Sequence, residues 1–283
     1  MTDREDLGCL GLAAGRWRLV NGGCQDGATN MAADEAILLG VAQHHSLPTL
    51  RFYGWTPPCV SIGYAQSLRT EIDLDACCTR GYGWVRRPTG GRAVLHADEL
   101  TYSVIAPLGE PRVKGDIVTS YRRISMGLLA GLRLLGCDAV QAGQQREAAR
   151  GAESAACFEV PSHYEVMALG RKLMGSAQVR RRGVVLQHGV LPLTGDVGRL
   201  AYVLAVPGEQ RAQICERLRQ RAITLDEALR RPVTFGEVAE ALARGFAEAL
   251  NLELEPADLS HEEEADLWHS RARYSGEQWT FSR

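Results

Sequence analysis

Lysine is nearly absent from this 283-residue chain. Of 32 basic residues only Lys114 and Lys172 are lysine, leaving thirty arginines. A nucleotide-composition bias toward arginine codons is the plain reading of that imbalance. It still raises a question about each surviving ammonium, because lysine is a compact charge whose pKa shifts on burial and arginine copies neither property. No run approaches the ~18 consecutive apolar residues of a membrane span, so no membrane association is expected. The opening MTDREDLGCLGLAAGRW has early acids and no basic flank ahead of an apolar stretch, so it does not read as a secretory signal. A cytoplasmic protein is expected. With 34 acids the formal charge is −2, which lacks the basic excess of a dedicated nucleic-acid binder.

Several motifs are missing too. The eight cysteines (Cys9, Cys24, Cys59, Cys77, Cys78, Cys137, Cys157 and Cys215) are irregularly spaced and form no CxxC. That excludes the disulfide framework of short secreted chains and the paired ligands of a zinc site. Most of these thiols are expected to be small buried apolar groups. There is no P-loop, no G-x-G-x-x-G between strand and helix, no G-x-S-x-G elbow and no H-E-x-x-H. The seven histidines show no ligand spacing. Neither metal nor cofactor is expected.

What is present is a globular chain, 45% apolar, without repeats or a Pro/Ser-rich linker. This favours one continuous α/β or α+β domain with a helical C-terminal part. Residues 1–15 read as a loose N-terminal arm. A short strand is predicted over Trp17–Val20, then a helix from about Thr29. LRFYGW and CVSIGY read as two strands divided by Pro57 and Pro58. GWVRRPTGGRAVLHADELTYSVIAP reads as strand, glycine turn, strand, loop, strand. Tyr121, Ile124, Leu128, Leu132 and Leu135 mark an amphipathic helix that stops before Gly136. Residues 141–155 are polar and aperiodic, expected to form a mobile loop. Strands follow, with a hairpin around Gly170, and the chain turns helical from about residue 197. Thr224 with Glu227 and Thr234 with Glu237 have the capping-box form, Val233 and Val238 adding a hydrophobic staple at the second. Val238, Leu242 and Phe246 line one face of the helix that starts there.

Three glycine-marked segments could carry chemistry. In RRPTGGRAVLH, the Gly90-Gly91 pair lets a ligand approach the backbone, and Arg87 or Arg92 could hold an anionic or thioester group. An ordinary hairpin turn with solvated arginines explains the same spacing. In LGRKLMGSAQ, Lys172 sits among apolar neighbours, where its ammonium could lower a thiol's pKa or face an oxyanion. A surface charge on a hairpin is the plain alternative. In AACF, Cys157 could be a nucleophile if a cation lowers its pKa.

Together these segments resemble the lipoate and octanoate attachment family, which shares the biotin-ligase-like catalytic fold. RRPTGGRAVLH is similar to the family's acyl-pocket strand and turn, GRKLMGSAQ followed by LQHGVL to its lysine-bearing segment, and RYSGEQWTF to its close. ATP-dependent lipoate ligases generally lack a cysteine at position 157. LipM-type octanoyltransferases carry one in an ACF context followed by PS-x-YE, as ACFEVPSHYEV has it here, fifteen residues before the family lysine. A related amidotransferase branch also uses a cysteine.

The resemblance implies mixed β-sheets flanked by helices in a class II synthetase-like fold, with the catalytic unit over residues 16–283 and 216–283 its helical C-terminal part. It implies octanoyl transfer from acyl carrier protein to a lysine of a lipoyl domain, in a 2-oxoacid dehydrogenase E2 or the glycine cleavage H protein. Cys157 would form an acyl-thioester and Lys172 would lower its pKa. Arg87, Thr89, Gly90, Gly91, Ala93, Val94 and His96, with Gly175, Ser176, Ala177 and His188, would bind the acyl group. Both histidines are expected at strand ends. Arg180, Arg181 and Arg182 could steer acidic protein substrates or simply form a solvated turn. No oligomerisation seam is apparent, so a monomer is expected.

Overall fold

A computed structural model describes residues 11–142 and 165–282. Its elements run β1 (Gly15–Gln25), α1 (Gly27–Ala42), β2 (Thr49–Trp55), β3 (Cys59–Ile62), α2 (Leu68–Glu71), α3 (Leu74–Thr79), β4 (Gly83–Arg86), β5 (Val94–His96), β6 (Glu99–Pro107) and α4 (Ile117–Leu134). They continue as β7 (Val140–Gln141), β8 (Val166–Ala168), β9 (Arg171–Arg181), β10 (Val184–Pro192), a 3-10 segment (Val197–Val203), α5 (Gly208–Arg221), α6 (Leu225–Leu229), α7 (Phe235–Leu250), β11 (Leu252–Pro256), α8 (His261–Ser275) and α9 (Glu277–Thr280).

Eight strands form one mixed sheet in the order β11-β1-β2-β6-β10-β9-β8-β7. β1 is parallel to both neighbours and the other pairs are antiparallel. A smaller sheet has the order β4-β3-β5, with β3 parallel to β4 and antiparallel to β5.

Alternation along β6 explains the layers. Leu100, Tyr102, Val104 and Ala106 point into the main core, against Ile124, Leu128 and Leu132 of α4 and Val238, Leu242 and Phe246 of α7. Ile105 on the other face joins Ile37, Leu38 and Val41 of α1. The α4 and α7 backbones touch where both are glycine: a Cβ on Gly245 would lie 2.1 Å from the Gly131 nitrogen. No helix is long and apolar enough to cross a membrane among the described residues.

The mixed sheets, flanking helices and Gly170 hairpin agree with the sequence reading. In that hairpin Leu169 and Gly170 take φ of 49° and 74°, as a two-residue turn between twisted strands requires. Gly136 has φ of 86° just beyond α4, also as expected.

Other expectations need correction. β1 is longer than Trp17–Val20 and begins within the arm expected over residues 1–15. The Leu12 and Ala13 carbonyls accept from Asn251 and Arg112. α1 starts at Gly27 because the Asp26 carboxylate accepts from the Thr29 amide at 2.8 Å. Gln141, assigned to a loop, pairs with Val166 in the sheet, while residues 143–155 of that loop lie outside the described residues. Within the region expected to be helical, β11 adds a parallel edge strand beside β1. Thr224 caps no amide, its hydroxyl bonding Asp226 instead. Thr234 does accept from Glu237 N, but the Glu237 carboxylate pairs with Arg231. The complete capping box is at Ser260 and Glu263.

Candidate active site

A cleft opens where the two sheets meet, concave and mostly apolar as small-ligand sites are. Met31 of α1, Tyr53 and Trp55 of β2, and Val94 and Val190 supply its apolar wall. Ser61, His96, Thr101 and His188 bring polar groups, and Gly175, Ser176 and Ala177 of β9 with Gly189 complete the side nearest β10.

Every polar side chain here is already bonded, so the cleft presents mainly carbon. The Trp55 indole donates to Thr101 Oγ1 at 2.9 Å, whose hydroxyl donates to Glu99 Oε1 at 2.6 Å. His96 Nδ1 lies 2.7 Å from the same oxygen and Nε2 lies 2.7 Å from Ser61 Oγ. Arg87 Nη1 also donates to Ser61 Oγ at 3.0 Å, so the guanidinium, the serine and the imidazole form one chain of contacts ending on Glu99. The Trp55 and His96 rings stack with centroids 3.9 Å apart.

A second relay runs behind His188. Asp34, wholly buried on α1, accepts from Arg51 at 2.7 Å, Tyr53 at 3.0 Å and Ser103 at 2.9 Å, with His188 Nδ1 at 3.3 Å. Burial alone would raise its carboxyl, but the Arg51 charge and the bonded groups hold it below the ordinary 3.8. Burial likewise pushes His188 below 6.5, and Asp34 offsets this only in part. A neutral His188 can then accept from the Thr89 hydroxyl, 2.6 Å from Nε2. His188 lies in mid-strand opposite Ser103 and Ala177, not at the strand end expected.

The turn before β5 is held by Arg87. Its guanidinium donates to the Gly90 carbonyl at 2.8 Å, to Arg92 O at 2.8 Å and to Ser61 O at 3.1 Å. Gly91 has φ of 94°, and a Cβ there would lie 2.8 Å from Arg87 Nη2, so both conformation and space demand glycine.

Lys172 is buried, and its ammonium lies 2.5 Å from Glu165 Oε1. The β8–β9 ladder shifts register here, Met167 opposing Lys172 and Val166 opposing Met174. Such a bulge re-aims side chains, three residues before the cleft-lining Gly175. Cys157 lies outside the described residues. Of the described cysteines, Cys59, Cys77, Cys137 and Cys215 are buried. Burial raises the Cys59 and Cys137 thiols and pushes Cys77 up to about 12, so these three are poor thiolates near neutrality.

Of the residues singled out in sequence, Arg87, Gly91, Val94, His96, Gly175, Ser176, Ala177 and His188 line the cleft. Thr89 reaches it through His188, and Gly90 anchors Arg87. Ala93 does not line it: its side chain packs into the cluster of Val60, Ile62 and Leu68 because β5 alternation sends Val94 the other way. Arg180–Arg182 is no uniform basic face, since Arg180 turns in to Ser120 and Gly115 while Arg181 approaches Glu35. Sequence reasoning missed Asp34, Arg51, Trp55, Glu99 and Glu165. Asn30 and Asp34, four apart and both on the buried side of a helix whose other polar residues are Thr29 and Glu35, were the one available signal.

Residues 26–247 match the family model of the lipoyl protein ligase A/B catalytic domain. The octanoyltransferase LipM of Kyrpidia tusciae is 46% identical over 273 residues, spanning 94% of this chain and 99% of its own. That of Bacillus subtilis is 40% identical over 274 residues, spanning 94% and 98%. Among solved structures, the bipartite lipoate protein ligase of the Thermoplasma acidophilum lipoylation system superposes with a TM-score of 0.79 at 29% identity, covering 95% of this chain and 97% of that one. A lipoate-protein ligase A bound with ATP gives 0.76 at 28%, covering 95% and 99%. With a family model spanning well over half the sequence and relatives above 30% identity aligned almost end to end, the chain belongs to the lipoyl protein ligase A/B catalytic-domain family.

Proposed function

We propose that this protein is an octanoyltransferase of lipoyl biosynthesis, moving octanoate from the thioester of acyl carrier protein to a lysine of a lipoyl domain through an acyl-thioester on Cys157. The observation that carries the reading is the near full-length identity of 40–46% to octanoyltransferases. The carbon-faced cleft supports it, because burying each CH₂ of an acyl chain contributes about 0.8 kcal/mol.

In the first half-reaction the Cys157 thiolate attacks the thioester carbonyl. A new C–S bond forms, the carrier's C–S bond breaks, and the carrier thiolate leaves and takes up a proton. In the second, the acceptor lysine amine attacks. A C–N bond forms, the Cys157 thiolate is released, and the amine's proton passes to solvent. Thioester exchange is nearly even and amide formation is downhill, so no nucleotide is consumed. A free thiol with pKa ~8.5 is only a few per cent ionised at neutrality, so lowering it by 1–2 units recovers roughly tenfold or more. Lys172 is the cation assigned to this task and to the tetrahedral oxyanion. Glu165 holds its ammonium, and the Lys172 carbonyl accepts from the Ile223 amide at 3.0 Å, which fixes the strand.

A second reading is ATP-dependent lipoate ligation, favoured by the 28% identity to a ligase bound with ATP. Incubation with octanoyl-carrier protein and apo lipoyl domain without nucleotide separates the two. Transfer, with an octanoyl adduct on wild type and none on Cys157→Ala by intact mass, is the expected result. Transfer only when ATP and free acid are supplied would establish the ligase.

A further inference from the structure

We propose that Arg86 is a positioning residue for the acyl site, holding the 63–66 bend on which the Gly90-Gly91 turn rests and tying both to the chain's C-terminal segment. The inference deepens the octanoyltransferase reading and rests on it for its substrate.

Arg86 and Arg87 are adjacent, yet their guanidinium groups serve opposite sides of one loop. Arg87 holds the turn from the cleft side. Arg86, wholly buried, holds what lies beneath. Its Nη1 donates to Gln66 O at 2.6 Å, Tyr64 O at 2.9 Å and Gly63 O at 3.2 Å. Its Nε and Nη2 donate to Trp279 O at 3.1 Å and Thr280 O at 2.9 Å. The Trp279 indole returns a bond to the Arg86 carbonyl at 2.8 Å.

The bend meets the turn backbone to backbone. Tyr64 N donates to Thr89 O at 2.8 Å, and a Cβ on Gly63 would lie 2.0 Å from Gly91 O. No side chain intervenes to absorb a shift, so displacement of the bend passes directly into the turn. A planar fork can reach carbonyls in two directions at once, whereas an ammonium is a single point with three donors. Arg86→Lys therefore keeps the charge while losing the span.

The test is Arg86→Lys in the full chain, by hydrogen exchange and by steady-state octanoyl transfer. Faster exchange is expected in peptides covering 63–66 and 89–92, with α4 and α7 unchanged. KM for octanoyl-carrier protein is expected to rise by roughly 10–100-fold, with kcat nearly retained, as for a misplaced binding group remote from the reacting atoms. Gly63→Ala, which leaves Arg86 intact but forces the same interface apart, should reproduce the KM rise. Unchanged exchange at 89–92 in Arg86→Lys, or equal falls in kcat and kcat/KM without a KM change, would overturn the proposal. Wild-type protein that transfers no octanoyl group defeats the functional reading instead, and the exchange result still decides whether Arg86 positions the turn.

Discussion

The Lys172 ammonium and the Glu165 carboxylate form a buried ion pair 2.5 Å apart, each side chain about 5% exposed. A counter-charge thus holds the Lys172 ammonium at the base of the strand that continues to Gly175. Lys172→Arg should slow acylation of Cys157 by about 10²–10³-fold, the usual cost of a lost oxyanion donor, while shifting thermal stability much less. Quenched intact-mass time courses beside a melting curve check this. Equal acylation rates would remove Lys172 from the chemistry.

Removing Glu165 has the opposite signature. Glu165→Ala leaves the ammonium buried without its partner, which typically costs about 3–5 kcal/mol of stability. Urea unfolding measures it, and a loss below 1 kcal/mol would mean that the pair behaves like a solvent-exposed one.

Cysteine reactivity should divide by burial. Octanoyl-carrier protein should label the wild type once, and Cys59→Ala, Cys77→Ala and Cys137→Ala should label equally, because burial disfavours those thiolates. Only Cys157→Ala should lose the adduct. Labelling that persists there would place the nucleophile elsewhere.

Acid should weaken the His188–Asp34 centre in a defined window. His188 is held below 6.5, so on acidification the unfolded chain binds that proton first. Its contribution to stability is present above the ordinary histidine pKa and is lost as pH falls below it. Asp34, held below 3.8, adds a further loss only at lower pH, through its depressed folded-state pKa. Urea unfolding at ~pH 7 and ~pH 5.5 should show wild type losing more stability than His188→Gln. Parallel losses would mean that His188 protonates freely in the folded state.

The buried pair Asp34–Arg51 offers a double-mutant cycle. Arg51→Met alone should cost about 3–5 kcal/mol by stranding the carboxylate, and adding Asp34→Asn should recover part of that. Additive losses would show that the two charges are not coupled.

Much of the fold was legible because local signals agreed with tertiary packing. Ile124, Leu128 and Leu132 are one buried face of α4, and Leu169-Gly170 is the hairpin turn anticipated. The misreadings have local causes. Thr224 with Glu227 satisfies the capping spacing, but Asp226 captures the threonine hydroxyl first. LELEP has a strand's alternation but little length, and it becomes β11 only because β1 offers a free edge. In the candidate site, glycine-marked segments were readable since glycine signals close backbone approach. The acidic partners Asp34, Glu99 and Glu165 were not.

The order of residues alone determined the family and its signature segments, and with them the choice of Cys157 and Lys172, because motif identity is a property of neighbouring positions. Folding alone decided that His96 answers to Glu99 and Ser61, that His188 answers to Asp34 and Thr89, and that Ala93 turns away from the cleft. Those outcomes depend on which strand lies beside which and on the register between them. Ser61 and Arg87, 26 residues apart, or Thr89 and His188, 99 apart, become partners only when two sheets close on one cleft.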